Sequence, residues 1–239
     1  MTQVRRTFSY WINGLPRNHK GSKITFVNDI TKQYNGRLVY SSMKKIVIAT
    51  KNKGKVREMQ NAFIDLPVEL VSLAEIDGDI PDAVEDGDTF KENSLKKARH
   101  YQQLTGMACL ADDSGLEVEA LGGAPGVYSA RYSGENADDA SNNAKLVEEL
   151  RKLGMDSSEA DYQCALTFID IDGSVLQSQG FCRGEIRLEA VGSNGFGYDP
   201  YFYVGDKSMA QLTLEEKDAI SHRGDALRKM AVQLKEYLQ

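Results

Sequence analysis

Apolar residues run unbroken through "IVIA" (46–49) and then recur at Val56, Met59 and Phe63, three and four positions apart. The unbroken run suits a buried strand and the later spacing marks one helix face, so "KIVIAT" and "GKVREMQNAFI" read as strand, loop and helix. The alternation continues. "VELVSL" reads as a strand, "TFKENSLKKARHYQQL" as a helix opened by a Thr89 and Glu92 capping box, and "MACLADD" as a strand ending in carboxylates. Farther on, "DDASNNAKLVEELRKL" is helical, and "YQCALTFIDIDG", "VLQSQGFCRGEIR" and "YFYV" form a strand-rich half. "SHRGDALRKMAVQLKEYL" closes the chain as a helix with Leu227, Met230, Leu234 and Leu238 on one face. Strands alternating with helices place the chain in the α/β class.

Charge divides the chain unevenly. Residues 1–42 carry seven Lys or Arg against Asp29 alone, a net +6, and the remainder nets −12. Met43 opens "MKKIVIAT", a suitable first strand for an independent domain, so we expect a basic N-terminal extension over 1–42 and one domain over 43–239. Within the extension "KITFV" and "GRLVY" read as strands, with an Asn35-Gly36 turn before the second. An arm for nucleic acid and an Arg-rich transit peptide are the alternatives its charge allows. The acidic body argues against nucleic acid as a partner, because that affinity comes largely from neutralising phosphates.

Of the 239 residues 41% are hydrophobic, enough for a sizeable core. No run reaches the eighteen apolar residues of a membrane span and no export signal is evident, so we expect no membrane partner and a cytoplasmic location. Cys109, Cys164 and Cys182 are odd in number and lack C-x-x-C spacing. They read as reduced core thiols, not as a disulfide framework or zinc site.

In open α/β sheets ligands bind beyond the carboxyl ends of strands, which directs attention to "TKNKGK" and "ADDSG". Thr50, Lys51, Asn52, Lys53, Gly54 and Lys55 combine backbone N–H groups at a helix N-terminus with an amide and ammonium groups, the makings of a phosphate cradle. The Walker A pattern is absent, and a solvated basic turn is the plain alternative. Phe90, Asn93, Lys97 and Tyr101 share one helix face, so Lys97 either snorkels at the core's edge or reaches an anion held by the first loop. Glu85, Asp86 and Asp88 precede that helix, where acids also complement its dipole. Adjacent carboxylates such as Asp112 and Asp113 repel one another unless a cation compensates. Mg²⁺, which takes one or two carboxylates plus phosphates, suits Glu85 with Asp112 or Asp113. Alternation along a strand sends the two aspartates to opposite faces, one to the metal and the other to stabilise the turn. An ordinary strand-ending turn is the alternative for the pair. Ser114 and Gly115 would let a ligand approach the backbone.

"GSNGFGYDP" (192–200) interleaves glycines with Phe196 and Tyr198 beside Asp199, which suits stacking on a base. Ser221 is placed to cap the last helix, with His222 and Arg223 in its first turn, and these two with Lys217 make a set of donors. Asp170 and Asp172 in "TFIDIDG" have the D-x-D look of a phosphatase with an aspartyl nucleophile, although Asp-Gly after a strand is also a hairpin turn. A module that binds nucleotide without cleaving it is a further alternative. Asp113 argues against that, since a carboxylate beside phosphates gains nothing without a metal.

In their order, "ATKNKGKVREM", "EDGDTFKENSLKKAR", "ADDSGLEVEALGGAPGVYSARYSGE", "GFGYDP" and "MAQLTLEEKDAISHRGDAL" give a chain that resembles the inosine triphosphate pyrophosphatase, or Ham1-like, family from Met43 to the C-terminus. The resemblance implies an elongated mixed α/β sheet with flanking helices, two lobes around a central substrate cleft, and a homodimer. It implies Mg²⁺-dependent hydrolysis of ITP, dITP and XTP to the monophosphate and pyrophosphate, removing deaminated purines from the nucleotide pool. By the same resemblance Thr50, Asn52, Lys55 and Lys97 hold the triphosphate, Glu85 and Asp113 meet the metal, Asp113 is the proton acceptor, and Ser114 lies beside the substrate. Phe196, Gly197, Tyr198 and Asp199 resemble the base-binding loop, and Lys217, His222 and Arg223 the donors that read the purine's keto edge. A 6-keto group accepts hydrogen bonds where adenine's amino group donates them, so such donors leave adenine mismatched. Residues 1–42 lack a counterpart, and Asp86 stands where a second glutamate is common, which leaves the ligand role to Glu85.

Overall fold

Two units make up the computed structural model, which describes residues 29–34, 37–76, 78 and 80–239: one ends at Ser42 and the other is Met43–Gln239. In the first, β1 (Asp29–Tyr34) and β2 (Arg37–Ser42) pair antiparallel, from Tyr34 opposite Arg37 to Asp29 opposite Ser42. The expected "GRLVY" strand is β2, whereas β1 is the polar run DITKQY, which lacks the apolar signature of a strand. The expected "KITFV" strand and Asn35-Gly36 turn lie outside the described residues.

The second unit is built on a seven-stranded mixed sheet. β3 (Lys44–Ile48) lies between β4 (Val68–Ser72) and β5 (Ala108–Val118) and is parallel to both; α1 (Lys53–Ala62) joins β3 to β4, and α2 (Phe90–Thr105) precedes β5. After α3 (Asp139–Lys152), the strands β6 (Ser157–Ile169), β7 (Val175–Arg187), β8 (Phe202–Val204) and β9 (Lys207–Ser208) extend the sheet antiparallel from β5. α4 (Leu214–Ile220) and α5 (His222–Tyr237) close the chain.

The sheet buries apolar side chains on both faces. Ile46, Ile48 and Leu110 pack with Met59 of α1, with Phe63 that caps it, and with Leu227, Met230 and Leu234 of α5. Val47, Cys109 and Ala111 face Ala98 and Tyr101 of α2. Farther along, Leu116 and Val118 join Leu146 and Leu150 of α3 in another cluster with Tyr162, Ile186 and Phe202. Leu238, expected on the α5 stripe, is the residue that caps the helix. The three cysteines are buried and free, and burial pushes the thiols of Cys109 and Cys164 up to about 12 and that of Cys182 to about 11.

The end of β5 differs from expectation. β5 does not end at Asp112 and Asp113: β6 pairs with it from Cys109 to Val118, with Asp112 opposite Leu166 and Asp113 opposite Ala165. The strand therefore runs through three apolar clusters and carries both carboxylates at its middle. β3 accompanies it only as far as Leu110, where Ala49 N donates to Leu110 O at 2.8 Å. Beyond that point the edge of β5 turned away from β6 is left to loops and side chains.

Candidate active site

The site begins where β3 stops. Asn52 caps α1, its Oδ1 accepting from Gly54 N at 2.8 Å and Lys55 N at 3.3 Å, while Lys55 Nζ lies 2.9 Å from Asp112 Oδ2. From the opposite face, Lys97 of α2 donates to the Asp112 carbonyl at 3.1 Å and pairs with Glu85 Oε1 at 2.8 Å. Two ammonium groups thus flank the same stretch of strand edge. Burial alone would lower the Lys97 pKa, but Glu85 and Asp112 outweigh it and hold the group above the usual lysine value.

Asp113 is buried on the α2 face. Its Oδ1 accepts from Ser114 N at 3.0 Å, and its Oδ2 has no hydrogen-bond partner among the described residues. Burial, together with the charge of Glu85, pushes its carboxyl up to about 6 against the pull of Lys97. Asn93, also buried, accepts from Gly87 N at 2.7 Å and so ties the loop bearing Glu85 to α2. Asp86 faces outward in an exposed pair with Lys96, 2.7 Å away. The expected capping box is only half made: Thr89 Oγ1 accepts from Glu92 N, but Glu92 reaches back to Asp88 N.

Asp112 occupies the other face, where it serves no turn. Its Oδ2 accepts from Arg223 Nε at 3.3 Å and Nη2 at 3.2 Å; Arg223 also donates to Glu58 Oε2 and to Ser114 Oγ, each at 2.8 Å. Lys217 Nζ lies 2.6 Å from Asp199 Oδ2 and 3.9 Å from Glu58 Oε1. Lys55, Asp112, Arg223, Glu58, Lys217 and Asp199 therefore form a chain of alternating sign with no net charge, the condition under which buried ions are tolerated. Burial would raise the Asp112 pKa, but Lys55 and Arg223 overcome it and hold the carboxyl well below the usual range.

On this face lies a cleft of about 300 Å³. Phe196 forms part of its wall, with Lys217 Nζ 4.7 Å and the Arg223 guanidinium 5.6 Å from its ring centre. The ring also lies against the start of α1, where a Cβ on Gly54 would come within 3.1 Å of it. Asp199 Oδ2 accepts from Phe196 N at 2.9 Å, closing the loop, and Tyr198 is buried with its hydroxyl donating to Ser129 O at 2.7 Å. Ser221 caps α5 by accepting from Gly224 N. The next residue, His222, stacks on Tyr162 with ring centres 4.5 Å apart and planes 11° off parallel. Burial and the adjacent Arg223 and Lys217 hold its pKa well below the usual histidine value, so the imidazole is neutral.

The buried side-chain atoms left without a partner among the described residues are Asn93 Nδ2, Asp112 Oδ1, Asp113 Oδ2, Asn143 Oδ1 and His222 Nδ1. All belong to residues of this site or of the helix beside it. Native interiors leave few such atoms, and their concentration in one place marks a surface built for a polar ligand.

Thr50, Asn52, Lys55, Ser114, Phe196, Gly197, Tyr198, Asp199, Lys217, His222 and Arg223 line the one cleft. Glu85, Lys97 and Asp113 gather on the α2 face of the strand that borders it. The structure does not bring the rest of the first loop into the cleft wall: Lys51 turns to Asp82, 2.8 Å away, Lys53 is exposed, and Gly54 borders a neighbouring pocket behind Phe196. Sequence reasoning missed Glu58, Tyr162 and Asp139, whose partners lie far along the chain, and Asn142, which bonds to Ala130 and Ser133. The D-x-D of β6 is a hairpin. Buried Asp170 accepts from the Tyr237 hydroxyl at 2.7 Å and pairs with Lys44, and Asp172 accepts from Ser174 N, so neither carboxylate faces the cleft.

A sequence model of the Ham1 family matches residues 46–233. The dITP/XTP pyrophosphatase of Desulfotalea psychrophila is 52% identical over 184 residues, 76% of this chain and 81% of that protein. That of Geobacter sulfurreducens is 49% identical over 187 residues, 77% of this chain and 94% of that protein. Among solved structures, the HAM1 protein of Coxiella burnetii aligns with a TM-score of 0.74 at 42% identity, over 81% of this chain and 100% of that one. The Staphylococcus aureus Ham1 protein aligns with a TM-score of 0.70 at 39% identity, with the same coverage.

Proposed function

Since the chain belongs to the Ham1 family, we propose that it hydrolyses ITP, dITP and XTP to the nucleoside monophosphate and pyrophosphate with Mg²⁺ as cofactor. The observation that carries this reading is the division of labour on β5: a partly unpartnered carboxylate of raised pKa on one face, and a donor-rich cleft with an aromatic wall on the other.

Asp113 is the proton acceptor. With its carboxyl at about 6 it is ionised at neutral pH yet basic enough to orient and deprotonate a water attacking the α-phosphorus in line. Lys55 and Lys97, fixed on either side of the strand edge, stabilise charge on the triphosphate and the departing pyrophosphate. Glu85 and the unpartnered Oδ2 of Asp113 fit the oxygen-ligand chemistry of Mg²⁺, which takes one or two carboxylates and completes its shell with phosphates and water. When bound, that ion neutralises phosphate charge. Phe196 stacks on the base, while Lys217, Arg223 and neutral His222 read the 6-keto edge; Glu58 and Asp199 hold the two cations in place. Adenine, with an amino donor at that edge, meets donors and is rejected.

The same reading makes the enzyme a cytoplasmic homodimer that acts on free nucleotides, without nucleic-acid or membrane partners; among the described residues no helix is long and apolar enough to cross a membrane. Incubation with dITP and Mg²⁺, assayed for pyrophosphate and orthophosphate separately, is the deciding experiment. Pyrophosphate with dIMP is the expected result. Orthophosphate alone would point to a phosphatase, binding without products to a non-catalytic module, and silence with ITP, dITP and XTP would end the proposal.

A further inference from the structure

The first turn of α3 touches both walls of the cleft. On one side, Asp139 Oδ2 accepts from Gly197 N at 2.8 Å and Asn143 Nδ2 donates to Gly197 O at 2.9 Å. Two side chains one turn apart thus grip both peptide groups of a glycine whose φ is +63°. On the other side, Asn142 Oδ1 accepts from Ser133 N at 2.8 Å and its Nδ2 donates to Ala130 O at 3.2 Å. Those residues lie at the end of the short 3₁₀ segment Gly126–Arg131 and just beyond it. Asn142 and Asn143 are buried, and α3 is anchored from beneath by Leu146 and Leu150.

Gly197 follows Phe196, and Gly197 and Ala130 both line the cleft. Neither wall is a regular strand or α-helix; Tyr198 ties them once, its hydroxyl donating to Ser129 O at 2.7 Å, and the α3 side chains add four further hydrogen bonds to them. We propose that the first turn of α3 is a brace that fixes the spacing of the two walls, making Asp139, Asn142 and Asn143 positioning residues for discrimination between deaminated and ordinary purines. This inference rests on the activity proposed above, because it concerns the selectivity of that same site. The brace acts on peptide groups of the loop and leaves the carboxylates and lysines around β5 untouched.

The test measures dissociation constants of dITP and dATP by titration in EDTA, where no turnover occurs, alongside melting temperatures. Asp139→Ala and Asn143→Ala should each reduce the wild-type preference for dITP by about tenfold, the scale of one lost charge-assisted or buried hydrogen bond. Asp139→Asn retains an acceptor oxygen and should stay within about threefold of wild type. Asp138→Ala is the control. It removes the side chain that accepts from Ser141 N and caps the same helix without touching either wall, so it should lower the melting temperature and leave the preference alone. Because Asp139 is exposed, its alanine variant should fold even if that of buried Asn143 does not. An unchanged preference in Asp139→Ala, an equal loss in Asp138→Ala, or a wild type that binds dATP as well as dITP would overturn the brace. A wild type that prefers dITP yet releases no pyrophosphate with Mg²⁺ would instead remove the proposed activity and leave the brace standing.

Discussion

Asp112 and Asp113 are adjacent and chemically identical, and the two faces of β5 give them different tasks. Asp112→Asn leaves buried Arg223 with one counter-charge fewer and should lower the unfolding free energy by roughly 3–5 kcal/mol, measured by denaturant titration. A loss below about 1 kcal/mol would mean that the alternating charge chain relaxes around the gap. Asp113→Asn should instead keep the fold and lower kcat by roughly a hundredfold or more; activity within about threefold of wild type would take the proton-acceptor role away from it. Asp113 also has a distinctive pH signature without metal. Its carboxyl is pushed up to about 6 in the fold and returns to about 4 in the unfolded chain, so the folded state holds the extra proton between these values. Its contribution to stability is present below about pH 4 and is lost as pH rises through about 6, on the order of 3 kcal/mol. In EDTA, Asp113→Asn should therefore gain on wild type between about pH 4 and 7, and a stability difference that stays flat across that window would contradict the shift. The sequence could offer both aspartates but could not assign the pairing of Glu58. Between Arg57 and Met59 a glutamate reads as the solvent side of a helix, and the arginine that buries it lies 165 residues away.

Most elements were readable because their burial follows a period: α1, α2, α3 and α5 lie within about two residues of the spans their apolar spacing indicates. Where the expectation failed, polar residues occupied strand interiors. β6 begins at Ser157, five positions before the apolar stretch, because its first residues, which include Glu159 and Asp161, pair with β7, and β5 passes through two aspartates because alternation sends them to opposite faces, Asp112 to Lys55 and Arg223 and Asp113 to the field of Lys97. Gly180 shows what no local pattern reveals. A Cβ there would lie 2.1 Å from His222 O and 2.4 Å from Ala226 N, both backbone atoms of α5. Gly180→Ala should lift the start of α5 from β7, destabilise the protein by about 1–3 kcal/mol, and reduce kcat/KM by about tenfold through displaced His222 and Arg223. Wild-type melting and turnover in that variant would show that the helix shifts without disturbing the site.

The unit Met43–Gln239 has its own sheet and cores, and the Coxiella burnetii HAM1 chain in its entirety corresponds to 81% of this chain. A protein beginning at Met43 should therefore fold and hydrolyse dITP with kcat within about threefold of the full chain, roughly 0.7 kcal/mol in the barrier. Aggregation, or a kcat reduced beyond about tenfold, would make residues 1–42 part of the working structure. Their basic charge was plain in the sequence; what they do was not, because the family match begins only at residue 46. β5 has a consequence for how this enzyme would fail. Catalytic carboxylates often sit on loops that loosen before a protein unfolds, whereas Asp113 sits in the middle of a strand that is paired with β6 and contributes to three hydrophobic clusters. Amide hydrogens of β5 that bond to β6 should exchange with deuterium only through openings as costly as global unfolding, while those of the 80–88 loop exchange early. Heating would then leave no interval in which the chain is folded but the proposed proton acceptor is out of place: its position would be lost only with the sheet itself.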